Sequence, residues 1–132
     1  MNRVDAITNS VVWDRALLAL PRPQVLQSWT WGALKESQHW QATRFLWWDG
    51  YYPVAAAQVL VQRRGRLRLG YVPKGPLLNW HDTPLAAIVL SRLAAFAREQ
   101  NLTLLKIDPD VGVDTREGQA VLTMLQQQNI SI

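Results

Sequence analysis

Two apolar-rich segments near the start of the chain are typical of short helices. They cover residues 13–20 and 28–36. Asn9 or Ser10 is the candidate N-terminal cap of the first helix, and Pro21 ends it. The chain is therefore predicted to begin its fold with a pair of helices.

Three strand-like apolar segments follow, with turn residues between them. The segments cover residues 40–48, 53–62 and 67–72. Asp49-Gly50 is a hairpin signal between the first two, and Arg63-Arg-Gly-Arg66 is the next turn. Because such short turns join antiparallel strands, we expect three consecutive antiparallel strands here.

The remaining part of the chain alternates helix, strand and helix. An amphipathic helix over 84–99 begins at Thr83-Pro84, where a cap candidate precedes a proline. A strongly apolar strand over 102–107 and a last helix over 118–128 follow. Since the long helix is a crossover between two strands, we expect the third and fourth strands to pair in parallel.

These elements predict an α/β (α+β) protein with a mixed sheet and the order αα-βββ-α-β-α. A length of 132 residues, 48% of them hydrophobic, suits a single domain over residues 1–132. The chain stops soon after the last predicted helix, where a further strand would be the natural continuation. We therefore expect it to be the first part of a longer protein.

Composition narrows the class of protein. The chain has no cysteine, which excludes disulfides, thiolate zinc sites and cysteine nucleophiles. No apolar run reaches the roughly 20 residues that span a bilayer, and residues 1–10 do not resemble a secretory signal. These features favour a cytoplasmic protein. The formal net charge of +4 and the pI of about 10.0 favour anionic partners such as phosphates, nucleic acid or acidic lipid.

Two proline-containing motifs end predicted strands and place polar groups there. They are Tyr71-Val-Pro-Lys-Gly-Pro76 and Lys106-Ile-Asp-Pro109. Proline has no amide donor, so a central strand stops at these residues. In open α/β sheets ligands usually bind just beyond strand ends. The two motifs are therefore the candidate binding site.

Together with two earlier segments, these motifs resemble a known family. The earlier segments are Leu26-Gln-Ser-Trp-Thr-Trp-Gly-Ala-Leu-Lys35, and then Trp40 and Arg44. In this order, the four features are similar to the N-terminal segment of the FemAB/FemX family, the aminoacyltransferases that form peptidoglycan bridges. The resemblance extends over nearly all of the chain, from about residue 13 to about residue 129.

The resemblance implies a transferase of cell wall biogenesis and cell shape. Such an enzyme moves an amino acid from aminoacyl-tRNA to an amino group on the stem peptide of a cell-wall precursor. Its lobes resemble GCN5-related N-acetyltransferases (GNAT), with this chain as the first part of the first lobe and a second lobe beyond it. The implied partners are aminoacyl-tRNA as co-substrate, a lipid- or nucleotide-linked muropeptide, and the inner membrane face. No DNA, cofactor or metal is implied.

Four residues are candidates for substrate binding in the helical and first proline motifs. Trp31 and Lys35 share a helix face, and the resemblance implies that Lys35 binds a phosphate of the precursor. The alternative is a solvated lysine at a helix C-terminus. Lys74 and Gly75 lie in a proline-bounded turn, where a backbone amide can approach a ligand closely. The alternative is that the turn has only a structural role. Tyr71 either flanks the same cleft or packs.

Lys106 and Asp108 alternate with Leu105 and Ile107, so their side chains are expected to share one face. Both are candidates for substrate binding. Asp108 is also the candidate catalytic group, which would attract the acceptor ammonium or accept its proton. The alternative is an internal ion pair or a turn cap that closes the strand.

Arginines 63, 64, 66 and 68 form a basic cluster on the predicted hairpin. They either contact tRNA or lipid phosphate or form a solvated hairpin tip. Residues 62–67 nearly match the coenzyme A pyrophosphate loop of acetyltransferases. The last position is Leu67, however, and the segment joins two strands instead of opening a helix, so we reject it as a coenzyme A site.

Aminoacyl transfer starts from an activated ester, so it needs positioning and oxyanion stabilisation and no dedicated nucleophile. Accordingly, we expect His39 and His81 to have surface or capping roles. Two other functions stay open from the sequence. One is a non-catalytic muropeptide-binding half-domain, and the other is an acyl-coenzyme A-dependent N-acyltransferase of the same superfamily.

Overall fold

The described part of the chain forms one six-stranded sheet with helices on both faces. A computed structural model describes residues 2–109. Its elements, in chain order, are β1 (Asn2–Ala6), α1 (Ser10–Leu18), a 3₁₀ turn (Val25–Gln27), α2 (Trp29–Glu36), β2 (Gln41–Asp49), β3 (Tyr52–Arg64), β4 (Leu67–Val72), β5 (Leu77–Leu78), α3 (Thr83–Glu99) and β6 (Leu104–Ile107). None of the helices in this described part is long and apolar enough to cross a membrane.

The sheet has the strand order β1-β2-β3-β4-β6, and β5 pairs with β3 beyond the end of β4. β1 to β4 are antiparallel neighbours, whereas β4 and β6 pair in parallel, with Leu69 beside Leu104. The predicted antiparallel run and the parallel crossover through α3 are thus confirmed. The helix predicted over 118–128 lies outside the described residues.

Some elements and caps differ from the sequence prediction. β1 was not predicted, because the alternation of charged and apolar residues in this segment is very short; the strand forms through pairing with β2. β5 has only two residues. Asp82, not Thr83, caps α3, because its carboxylate accepts a hydrogen bond from the Leu85 amide at 3.1 Å. Asn9 caps α1 by accepting two backbone hydrogen bonds.

Each face of the sheet has its own core. α3 covers one face with an apolar stripe that packs on Phe45, Trp47 and the alternate residues of β3. α1 packs on the other face, where Trp13 and Leu17 meet Leu46 and its neighbours. β3 is therefore buried on both sides over residues 55–61.

One edge of β3 changes partner halfway along the strand. Residues 60–64 pair with β4, and residues 55 and 56 pair with β5. Between these two ladders the chain makes the turn 73–76, whose two prolines have no amide donor. The sheet therefore has a gap beside Gln58, and this gap positions the candidate site.

Candidate functional site

The side chain of Gln27 fills the gap in the sheet. Its Oε1 accepts a hydrogen bond from the Gln58 amide at 2.7 Å, and its Nε2 lies 3.3 Å from the Gln58 carbonyl oxygen. The same Nε2 donates to the Pro73 carbonyl at 2.7 Å. Gln27 is fully buried. Its amide therefore takes the place of a missing strand residue and satisfies backbone groups that would otherwise be buried without partners.

The proline turn is held from two sides. Gly75 packs directly on Gln27, because a Cβ at this glycine would lie 2.9 Å from Gln27 Cδ. On the other side, the Asp108 amide donates to the Gly75 carbonyl at 3.1 Å. The turn that carries Lys74 is thus attached both to the sheet centre and to the end of β6.

Five predicted site residues come together at this end of the sheet, and we call them the strand-end cluster: Tyr71, Lys74, Gly75, Lys106 and Asp108. Tyr71 is the neighbour of Lys106 in the parallel ladder, and Lys106 Nζ lies 5.7 Å from the Tyr71 ring centroid. Lys74 Nζ lies 3.8 Å from Asp108 Oδ2, and both side chains are partly exposed. Such an exposed ion pair is weak and leaves both groups accessible to a ligand.

The phenol of Tyr71 is the titrating group that this environment perturbs. Burial raises the pKa of Tyr71 above its ordinary value, and the negative charge of Asp108 raises it further. Tyr71 therefore keeps its hydroxyl proton at neutral pH and acts there as a hydrogen-bond donor.

Lys106 and Asp108 do not pair with each other. Lys106 is exposed, and Asp108 forms its ion pair with Lys74 instead. The reason is that the outward-facing side of β6 is solvent-accessible, as the exposed Leu104 also shows.

Lys35 lies on the same sheet face as the cluster but does not contact it. α2 packs on Gln58 through Gly32, and Tyr71 lies opposite Leu60, which points to the same face as Gln58. Lys35 Nζ lies 5.0 Å from the Trp31 ring centroid and 3.4 Å from Gln38 Oε1. These are its contacts within residues 2–109, so the predicted Trp31–Lys35 pairing is present.

Sequence reasoning missed the buried polar network under α2. Arg44 is almost fully buried and stacks on Trp29, with 3.6 Å between its Cζ and the ring centroid. Its Nε donates to Gln58 Oε1 at 2.7 Å, and Glu36 lies 3.8 Å away. Burial lowers the pKa of Arg44, while nearby carboxylates oppose that shift. The available signal was Gln58 itself, a polar residue inside an otherwise apolar strand.

The described residues form an open surface at the strand-end cluster. A depression beside Lys74, lined in part by Arg22 and Trp80, has a volume of about 10 Å³, which is room for roughly one water molecule. A larger substrate would therefore lie across the surface. Within residues 2–109 no group of three His, Asp or Glu side chains could hold a metal ion.

Comparisons with known proteins bear on the family and the fold of this chain. The FemAB family matches residues 19–132. The crystal structure of FemX is similar with a TM-score of 0.79 and 24% identity, covering 95% of this chain and 31% of FemX. This chain thus spans less than a third of the length of FemX. No curated protein sequence matches it.

Two further solved structures have the same fold at lower identity. TTHA1254 from Thermus thermophilus has a TM-score of 0.62 and 15% identity, covering 98% of this chain and 89% of its own. A predicted acetyltransferase with acetyl-CoA from Clostridium acetobutylicum has a TM-score of 0.60 and 10% identity, covering 100% and 91%. The GNAT-like mixed α/β fold is confirmed. Because the family match extends over most of its length, the chain belongs to the FemAB family.

Proposed function

We propose that this chain belongs to an aminoacyltransferase of peptidoglycan biosynthesis, which transfers an amino acid from aminoacyl-tRNA to an amino group of the muropeptide stem. The observation that carries the proposal is the FemAB match over residues 19–132. The gathering of five predicted site residues at one sheet end supports it. Since the chain spans 31% of FemX, we propose that a second lobe completes the enzyme, which acts in the cytoplasm at the inner membrane face.

The reaction requires little chemistry from the protein. The neutral acceptor amine attacks the ester carbonyl carbon of the aminoacyl-tRNA, and the carbonyl oxygen becomes an oxyanion. The carbon–oxygen bond to the tRNA ribose then breaks, the ribose hydroxyl takes a proton, and the amine loses one. The enzyme mainly holds the two substrates together and stabilises the oxyanion.

Asp108 is the group that we assign to the acceptor amine. Its carboxylate is partly exposed and lies 3.8 Å from Lys74 Nζ, a position that a substrate ammonium can share. Once the amine has attacked, the same carboxylate can accept its proton. The neighbouring Tyr71 stays protonated at neutral pH and can donate a hydrogen bond to the bound substrate.

Lys35, Lys74 and Lys106 supply positive charge for the anionic precursor. Lys35 is a partly buried cation whose contacts within residues 2–109 are neutral, so it is free to bind a phosphate as a point charge. Lys106 offers an exposed ammonium over the Tyr71 ring. We place the muropeptide on the sheet face that carries α2 and the strand-end cluster.

A transfer assay tests the proposal. The full-length protein is incubated with a nucleotide-linked muropeptide and tRNA charged with a labelled amino acid mixture, and the label in the muropeptide is counted. Lys35→Ala should raise the KM for the muropeptide about tenfold, as expected for one lost charge-assisted contact. Arg15→Ala, an exposed change on α1, is the matched control and should leave the KM unchanged. Absence of both transfer and muropeptide binding would refute the proposal.

A second candidate function is a non-catalytic muropeptide-binding half-domain. The strand-end cluster favours it, because its partly exposed Lys74 and Asp108 are accessible for binding and the cluster contains no dedicated nucleophile. Muropeptide binding that Lys35→Ala abolishes, without any turnover by the full-length protein, would support this alternative.

The third candidate, an acyl-coenzyme A-dependent transferase, agrees less well with the site. The helix N-terminus is the usual place for a pyrophosphate, and at α3 this place is occupied by the Asp82 carboxylate, which accepts from the Leu85 amide. Calorimetry with coenzyme A would decide this point, and measurable binding would favour the third candidate.

A further inference from the structure

Positive charge is concentrated on the hairpin between β3 and β4. No Asp or Glu occurs between Gly50 and His81, a stretch that contains four arginines and one lysine. The four arginines are Arg63, Arg64, Arg66 and Arg68, and all lie at or beside the hairpin turn. The net positive charge of the chain is therefore distributed unevenly.

Two of these arginines face each other across the ladder. Arg63 lies directly opposite Arg68, and like charges in opposite positions destabilise a sheet. Arg68 donates to the Gln100 carbonyl and lies 3.3 Å from Gln100 Oε1, while Arg63 Nε donates to the Gly65 carbonyl at 3.1 Å. Because all of these acceptors are neutral, they orient both guanidinium groups without neutralising them.

The paired arginines line a groove of about 390 Å³, which we call the hairpin groove. Its other lining residues are His39, Gln41 and Val61. No carboxylate belongs to this lining. Two oriented cations beside neutral hydrogen-bonding groups suit an anion with several oxygens, and a phosphate matches the planar fork of arginine.

The surroundings of the groove favour a nucleic acid over a membrane. Arg64 and Arg66 extend the charge along the exposed hairpin turn, and the apolar contribution is Leu67 at 48% exposure. Membrane-surface segments combine their cations with several large apolar residues, whereas phosphodiester binding depends on the number of cations. We propose that the hairpin groove and turn bind the sugar–phosphate backbone of tRNA. This inference rests on the proposed function, in which an aminoacyl-tRNA is the donor.

The hairpin groove is separate from the proposed muropeptide surface. Arg68 of the groove and Tyr71 of the cluster both lie on β4, about 10 Å apart along the strand at about 3.3 Å per residue. Their side chains point to opposite faces of the sheet, because Arg68 pairs with Arg63 and Tyr71 pairs with Leu60. Val61 belongs to the core under α3, so the groove lies on the opposite sheet face from α2. Both substrates can therefore bind at once, and losing hairpin charge should not change muropeptide binding.

Fluorescence anisotropy with labelled, deacylated tRNA tests this inference on the full-length protein over a series of KCl concentrations. Arg63→Gln combined with Arg66→Gln should weaken tRNA binding by about an order of magnitude and reduce the salt slope by about 2. Arg15→Gln combined with Arg98→Gln removes the same charge from exposed helix positions and is the control. It should retain both the affinity and the slope of the parent protein.

The inference would be overturned if the hairpin variant kept the tRNA affinity and the salt slope of the parent protein. It would also be overturned if the hairpin variant lost binding to anionic phosphatidylglycerol vesicles while it retained tRNA binding. In the transfer assay the hairpin variant should raise the KM for aminoacyl-tRNA and leave the KM for the muropeptide unchanged. If the parent protein transfers the amino acid and the hairpin variant has the same KM for aminoacyl-tRNA, the result contradicts this inference but not the proposed function. Hairpin-dependent tRNA binding without transfer to any muropeptide would support it and contradict the proposed function.

Discussion

Gln27 is the residue whose replacement tests the architecture of the site most directly. It lies in a short 3₁₀ turn, yet its amide group bonds to the middle of β3 and to the proline turn. Gln27→Met keeps the length and approximate shape of the side chain and removes only its hydrogen-bonding groups. We expect a large loss of stability from a change that leaves the core almost equally well packed.

The size of the loss follows from the groups that lose partners. The Gln58 amide and the Pro73 carbonyl, each bonded at 2.7 Å, become buried without partners. At about 2 kcal/mol for each such group the cost is about 4 kcal/mol. Burial of the apolar methionine offsets about 1 kcal/mol. The net loss of about 3 kcal/mol is a large fraction of the typical 5–15 kcal/mol stability of a domain.

Urea unfolding measures this loss, and hydrogen exchange locates it. Gln27→Met should lower the unfolding free energy by about 3 kcal/mol with little change in the m-value. Exchange of the Asp108 amide, which donates to Gly75, should accelerate as the turn loosens. The control Gln38→Met changes an exposed glutamine and should stay within about 0.5 kcal/mol of the parent. A loss below about 1 kcal/mol for Gln27→Met would refute the reasoning.

Three further predictions concern the same face of the sheet. Gly32→Ala should lower the stability by about 1–3 kcal/mol in thermal unfolding, although alanine is the better helix former, because its Cβ would overlap with Gln58 Oε1. Unchanged stability would contradict this close packing. Arg44→Lys should cost about 2 kcal/mol in urea and alter tryptophan fluorescence, because lysine cannot keep both the stacking on Trp29 and the bond to Gln58. Tyr71→Phe should remove a phenol that titrates above the ordinary value of about 10, as a difference titration would measure. Since this pKa is raised in the folded state, the parent should lose more stability than Tyr71→Phe as the pH rises through it.

Much of the fold could be predicted from the sequence, because its signals are local. Hairpin turns, the amphipathic stripe of α3 and the prolines at strand ends depend only on neighbouring residues. The parallel pairing of β4 with β6 followed from the crossover helix. β1 was not predicted because its strand structure comes from pairing with β2, and its alternation of polar and apolar residues is too short to stand out in the sequence.

The candidate site was predictable in its members but not in its contacts. The two proline motifs supplied all five residues of the strand-end cluster. The partner of Asp108 was not predicted, because Lys74 lies 34 positions away in the chain and meets it only through the β4–β6 pairing. Similarly, Gln58 stands out as a polar residue in an apolar strand, but no local pattern identifies Gln27 as the residue whose side chain bonds to its backbone.

Two motifs that look separate in the sequence form one physical unit in the fold. The proline turn cannot complete the ladder on β3, because both of its prolines lack an amide donor. The missing bonds are supplied by Gln27, from the segment that leads into α2 and Lys35. Replacing Gln27 should therefore disturb the position of Lys74, although the substitution leaves the Lys74 side chain itself unchanged. Gln27 fills the gap in the sheet and so holds the strand-end cluster in position. This role explains why buried polar groups lie beneath an otherwise open surface.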